Sequence, residues 1–188
     1  MGNPSDSSDK TAAATSRGVG VTAAAQREGK RGPAPVHLWN PPYCGEMDME
    51  IRADGTWFHE GSPFGRPNMV RMFANILMFE GGRHYLVTPV EKIGIRVVDA
   101  PFIAVDVDFD ADGIRFTTNI GDTVRLDGDH PLTITGTSAN PRPYVEVRGG
   151  LLARIDRKSF YRLAEAAAPG PDGRLGVNSA GVCFPLEL

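Results

Sequence analysis

The apolar positions of this chain change period several times, and each change marks an element. Met49-Glu50-Ile51-Arg52 alternates apolar and polar, as a half-buried strand does. Asp54-Gly55 supplies the positive φ of a tight hairpin, so Thr56-Trp57-Phe58-His59 returns as the partner strand. From Arg66-Pro67 the period lengthens. Met69, Val70, Met72, Phe73, Ile76 and Leu77 make one apolar stripe, with Pro67 suited to a first helical turn. The spacing predicts a helix closed by Gly81-Gly82, then a short strand Tyr85-Leu86-Val87 that Thr88-Pro89 breaks. Strand patterns follow at 93–98, 102–109, 114–118, 123–126, 132–135 and 144–148. Residues 151–155 lead to Asp156, a natural N-cap for a helix over 157–168. Strands at 175–177 and 182–186 close the chain as a hairpin around Ala180-Gly181.

The pattern repeats. With Arg66 laid on Arg157, Arg71 falls on Arg162, Met72 on Leu163, Gly82 on Gly173 and Arg83 on Arg174, without a gap. Upstream, Met49-Glu-Ile-Arg52 matches Val145-Glu-Val-Arg148; downstream, Leu86-Val87-Thr88 matches Val177-Asn178-Ser179. Each copy reads hairpin, helix, strand. The class is α+β, with two tandem repeats. A repeated unit packs on its twin because neither buries its apolar face alone. The junction between copies is therefore the favoured place for a ligand.

Composition narrows the partners. The chain has 188 residues, 41% hydrophobic and 23% charged, with net charge -3. No general positive field exists to bind a nucleic acid polymer or an anionic membrane, and no apolar run is long enough for a membrane span. Cys44 and Cys183 do not make a disulfide framework, and no CxxC, HxxxH or HExxH spacing implies zinc. Residues 1–35 carry no aromatic residue and too little apolar surface to offset chain entropy, so they read as a disordered arm. The arm has no apolar h-region, and the expected compartment is the cytoplasm. Two domains follow, 36–92 and 93–188.

Several strings add a resemblance: Cys44-Gly-Glu-Met-Asp-Met49, Asp54-Gly-Thr-Trp57, Gly61-Ser-Pro63, Leu86-Val-Thr-Pro-Val-Glu-Lys92, Asp99-Ala-Pro-Phe102, Thr118-Asn-Ile-Gly-Asp122, His130-Pro131 and Pro143-Tyr144. From about residue 41 onward the chain resembles the proteobacterial domain-of-unknown-function family one-two-eight-five. The resemblance implies a duplicated domain whose second copy lies within a pleckstrin-homology-like antiparallel β barrel or sandwich capped by a helix. It also implies a nucleotide-like ligand at the domain interface and a role in signal transduction. Met78 and Phe79 depart from the family pattern, which has charged residues there.

Candidate chemistry is sparse. Asp108-Phe-Asp-Ala-Asp-Gly113 has the D-x-D-x-D-G start of a calcium loop, but Asn119 stands where the bidentate Glu belongs. It reads instead as a hairpin with Val105, Val107 and Phe109 inward. Cys44 lacks a histidine base that the sequence can place beside it, and Ser62 lies outside a G-x-S-x-G elbow. Arginine suits phosphate through its planar fork, so Arg52 and Arg148 are candidates, against ion pairs with Glu50 and Glu146. Arg66, Arg71, Arg157 and Arg162 read as solvated helix positions, and Asn119 and Asp122 as hairpin residues. At the join, Lys92 suits a phosphate, Thr88 a hydrogen bond to it and Glu91 a ribose hydroxyl. Trp57 and Tyr144 are either base-stacking rings or core.

The sequence thus points to a non-enzymatic sensor or regulatory protein with no cofactor and no metal. It would bind a small anionic, nucleotide-like ligand through Arg52, Thr88, Glu91, Lys92, Arg148, Trp57 and Tyr144, and pass its state to a signalling partner. The alternatives are a protein-interaction scaffold working through the barrel edge and, further off, a hydrolase.

Overall fold

The computed structural model describes residues 33–171 and 173–187. The arm expected at 1–35 falls outside the described residues up to residue 32. Ala34 is already buried and its N–H donates to Asn75 O at 2.9 Å, so the chain is anchored two residues before Val36.

The described residues form an α+β fold that is mostly β. The strands are β1 Tyr43–Ile51, β2 Trp57–His59, β3 Ser62–Pro63, β4 Leu77–Glu80, β5 Arg83–Val87, β6 Lys92–Val97, β7 Phe102–Asp110, β8 Gly113–Thr118, β9 Thr123–Arg125, β10 Leu132–Thr137, β11 Asn140–Arg148, β12 Leu151–Ile155, β13 Ala168–Pro169, β14 Leu175–Ser179 and β15 Val182–Pro185. The helices are α1 Pro67–Ala74 and α2 Arg157–Glu165, and Val36–Leu38 is a single 3-10 turn. Two sheets are six-stranded and mixed, with orders β3-β2-β1-β6-β5-β4 and β10-β11-β12-β7-β8-β9; a third has the order β13-β14-β15.

The chain divides into two compact units: residues 33–48 with 64–95, and residues 49–63 with 96–187. In the first, β4, β5 and β6 form an antiparallel meander that pairs Leu77 with Leu86 and Leu86 with Ile93, all three buried. Met72, Phe73 and Ile76 add to that core, each burial contributing about 1.5–3 kcal/mol before entropy is charged against it. In the second, the hairpin β1–β2 buries Ile51 and Trp57, and β7, β8, β11 and β12 bury Phe102, Val107, Phe116, Val145 and Ala153. Asp156 caps α2 as the sequence predicts, its side chain accepting from Ser159 N–H at 2.7 Å.

The predicted duplication is present in the element order. With Arg66 laid on Arg157, α1 falls within α2, β4 begins on the first residue of β13, β5 overlaps β14 and β6 overlaps β15. Each copy runs hairpin, helix, three-stranded meander.

Three expectations are corrected. The helix predicted to run to Gly81-Gly82 ends at Ala74. Asn75 O takes the Ala34 N–H, and Leu77-Met-Phe-Glu80 turns into β4, for which large apolar and aromatic side chains are better suited. Gly81 and Gly82, at φ 58 and 79, make the β4–β5 hairpin turn rather than a helix cap. Of Val105, Val107 and Phe109, only Val107 is buried: a bulge between Ala104 and Asp106 takes Val105 out of the alternation, and Phe109, two residues on from Val107, lies near the exposed end of β7. Phe109, 44% exposed, lies under the Arg162 guanidinium instead. Among the described residues the second sheet does not close into an antiparallel barrel: β12 pairs with β7 in parallel, and the short β9 and the strand β10 remain as its two edges.

Candidate functional site

Side chains alternate across a strand, so Met78, Tyr85 and Gly94, paired across β4, β5 and β6, share one face of the first unit's meander. Arg83, Glu80 and Lys92 lie on the same face. The Lys92 Nζ sits 4.5 Å from the centre of the Tyr85 ring and the Arg83 Cζ 5.7 Å from it, both within cation–π range. Tyr43 meets Tyr85 edge-on, with ring centroids 6.2 Å apart. Carboxylates hold the two cations: Lys92 donates to Glu80, and Arg83 to Glu46. The Tyr43 hydroxyl donates to the same Glu46 oxygen as Arg83. Gly94 has no side chain, and a Cβ there would collide with the Glu46 carboxylate.

The electrostatics follow from these contacts. The Tyr43 hydrogen bond, helped by Arg83, holds the Glu46 carboxyl below its usual range. The same hydrogen bond raises the Tyr43 phenol above its ordinary value. On the other face of the meander, burial lowers His84, whose ring lies 4.9 Å from Phe79.

The other candidates are distributed between the units. Thr88, Glu91 and Lys92 belong to the first; Arg52, Trp57, Tyr144 and Arg148 to the second. The buried Thr88 hydroxyl is occupied by its own turn, accepting from Glu91 N–H at 3.1 Å and Val90 N–H at 3.4 Å. Glu91 Oε2 is buried and has no hydrogen-bond partner among the described residues. Arg52 lies over the Phe58 ring at 3.5 Å and pairs with Glu50 at 3.4 Å. Arg148 pairs with Asp122 at 2.7 Å, whereas Glu146 accepts the Gly150 N–H. Trp57 is a core residue, 1% exposed. The Tyr144 hydroxyl donates to Asp99 at 2.7 Å, and Arg154 stands 3.6 Å from the other oxygen of Asp99 while donating to Ala53 O at 2.8 Å. The second-unit candidates are therefore engaged within that unit: Arg52 inside the hairpin 49–63, Trp57 in the core, Arg148 with Asp122 and Tyr144 with Asp99.

Tyr43, Glu46, Arg83, Tyr85 and Gly94 were not among the residues singled out from the sequence. The alternation of Arg83-His-Tyr-Leu-Val87 was a signal that could have placed Arg83 and Tyr85 on one face. The Tyr43 and Glu46 contacts depend on the pairing of β1 beside β6, which no local pattern carries. Asp110 and Asp112 form a hairpin turn, with Asp112 N–H on Asp110, and no cluster of three or more His, Cys, Asp or Glu among the described residues could hold a metal. Cys44 and Cys183 are unbridged, and Cys44 donates to Pro42 O. No described helix is long and apolar enough to cross a membrane.

Two family models match consecutive parts of the chain. The N-terminal domain of the domain of unknown function DUF1285 covers residues 34–100, and the C-terminal domain of the DUF1285 protein of unknown function covers 101–186. A crystal structure of a DUF1285 family protein from Silicibacter pomeroyi DSS-3 is 51% identical, with a TM-score of 0.81, and the match covers 89% of this chain and 94% of that one. A DUF1285 family protein from Shewanella baltica OS155 is 25% identical, with a TM-score of 0.53, over 63% of this chain and 91% of that one. No protein of curated function matches the chain.

Proposed function

The chain belongs to the DUF1285 family, and from that premise we propose that it is a non-enzymatic ligand-binding regulatory protein whose first unit takes a small anionic ligand of nucleotide type. One observation carries the reading: the Tyr85 ring lies between the Lys92 and Arg83 cations on a partly exposed sheet face, with Tyr43 beside it. A flat ring and two cations are the two halves of nucleotide recognition, stacking and phosphate pairing. The carboxylates on those cations are exposed, at 52% for Glu46 and 62% for Glu80. Arg83–Glu46 is exposed on both sides, whereas Lys92 is 16% exposed; an exposed pair is weak, so a phosphate can exchange for Glu46. Thr88 and Glu91 shape the turn that presents Lys92.

The test is thermal melting with a panel of nucleoside mono- and diphosphates at millimolar concentration. A rise in Tm that Lys92→Ala abolishes is the expected result. No shift with any member of the panel would refute the reading.

A second reading draws on the second unit, where the six strands β7 to β12 precede α2 and β10 lies at a sheet edge, and takes that unit as pleckstrin-homology-like. Such a domain would act as a protein-interaction scaffold in signalling, and its edge strand offers unpaired backbone groups to a partner strand. A partner captured equally by wild type and Lys92→Ala would favour it.

A further inference from the structure

The placement of Glu46 separates it from an ordinary surface ion pair. Its carboxylate receives the Tyr43 hydroxyl and the Arg83 guanidinium on one oxygen, and it rests on the bare backbone of Gly94, beside the Tyr85 ring. Gly94 is buried and is not in the left-handed region, so no backbone conformation requires glycine there. What the missing Cβ provides is room, and the room is filled by an anionic group. An arginine, a hydroxyl and a glycine surface converging on an anion next to an aromatic ring make an anion subsite.

We propose that Glu46 is a tethered stand-in for the ligand: its carboxylate occupies the subsite over Gly94 that the ligand's anionic head takes, so binding requires Glu46 to leave. This deepens the reading above and rests on it. The ligand class narrows to a phosphate or carboxylate head attached to a planar ring, with the head over Gly94 between Tyr43 and Arg83 and the ring against Tyr85. Because Tyr43 and Arg83 keep Glu46 ionised below the ordinary carboxylate range, the competitor is charged throughout the neutral range. The protein then has a built-in threshold, answering only to concentrations that displace its own side chain.

The experiment is calorimetric titration of the full chain with adenosine 5′-monophosphate, using adenosine as the ring-only arm and inorganic phosphate as the head-only arm. Glu46→Gln keeps the shape and removes the charge, and it should tighten the monophosphate about three- to fivefold, the worth of an exposed pair. Gly94→Ala should weaken it tenfold or more while leaving adenosine alone unchanged. Circular dichroism melts establish that each variant is folded. If wild type binds and Lys92→Ala does not, but Glu46→Gln binds no more tightly, the stand-in is wrong and the ligand reading survives. If neither wild type nor Glu46→Gln binds at millimolar monophosphate, both fall. Binding seen only in Glu46→Gln would support both.

Discussion

Thr88 and Ser179 occupy the same place in the two copies, and both hydroxyls are buried, yet their removal should cost very different amounts. Ser179 Oγ accepts the Ile114 N–H at 2.8 Å and donates to Leu126 O at 2.5 Å, joining β14 to β8 and to the strand end after β9. Ser179→Ala removes both bonds and leaves a buried donor and a buried acceptor. At about 1–1.5 kcal/mol per bond, with added cost for an orphaned group, the total is about 2–4 kcal/mol. The Thr88 hydroxyl serves only its own turn, beside Val90, which is 69% exposed and open to water. Thr88→Val should cost no more than about 1 kcal/mol. Urea unfolding at pH 7 can separate them. Trp57 belongs to the second unit, so in a Trp39→Phe background its fluorescence reports Ser179→Ala there, while amide exchange across Arg83–Val87 reports Thr88→Val in the first unit. With a slope near 2 kcal/mol/M, Ser179→Ala should lower the midpoint by about 1–2 M. A fall of less than about 0.3 M would refute the claim that this hydroxyl holds the C-terminal meander in place.

Two further outcomes follow from the same geometry. Tyr144→Phe leaves Asp99 with only the longer Arg154 contact and should cost about 1.5–3 kcal/mol in urea unfolding. Burial and the Asp99 hydrogen bond raise the Tyr144 phenol above 10.0, so its contribution is complete below pH 10 and fades as pH rises through the folded value; the variant should lack that alkaline loss. Burial depresses His84 below 6.5, so the first unit should lose stability as pH falls from 6.5 through the folded value, with His84→Phe flattening the curve. Amide exchange across Leu77–Glu80 and Arg83–Val87 measures it, and a pH-independent wild type would sink the argument.

What the sequence disclosed was local and periodic. Asp-Gly at 54–55 announced its hairpin and Asp156 announced α2, because each depends on residues near one another, and the shared register of Arg66 and Arg157 announced the duplication, because it needs only two strings laid side by side. The end of α1 was illegible because Ile76 and Leu77 suit a helical stripe and a strand equally, and the hydrogen bond from Ala34 lies far upstream. Lys92 was legible as a cation at a turn. Tyr43 and Glu46 were not, since only sheet order brings Glu46 onto Gly94 and Tyr43 against Tyr85. The second-unit arginines were read from identical Glu-x-Arg spacings, yet Arg52 takes Glu50 while Arg148 takes Asp122, a choice set by the bulge at Val147.

The hairpin 49–63 belongs with residues 96–187, and this shapes the birth of the chain on the ribosome. The turn at Gly55 is built against Asn119 and Ile103, so the hairpin is synthesised long before the strands that shelter it. At about 5–20 residues per second, the wait from residue 55 to residue 119 is roughly 3–13 s. During that time Trp57 and Ile51 have no interior to enter, and the nascent chain offers them to any chaperone that binds apolar segments.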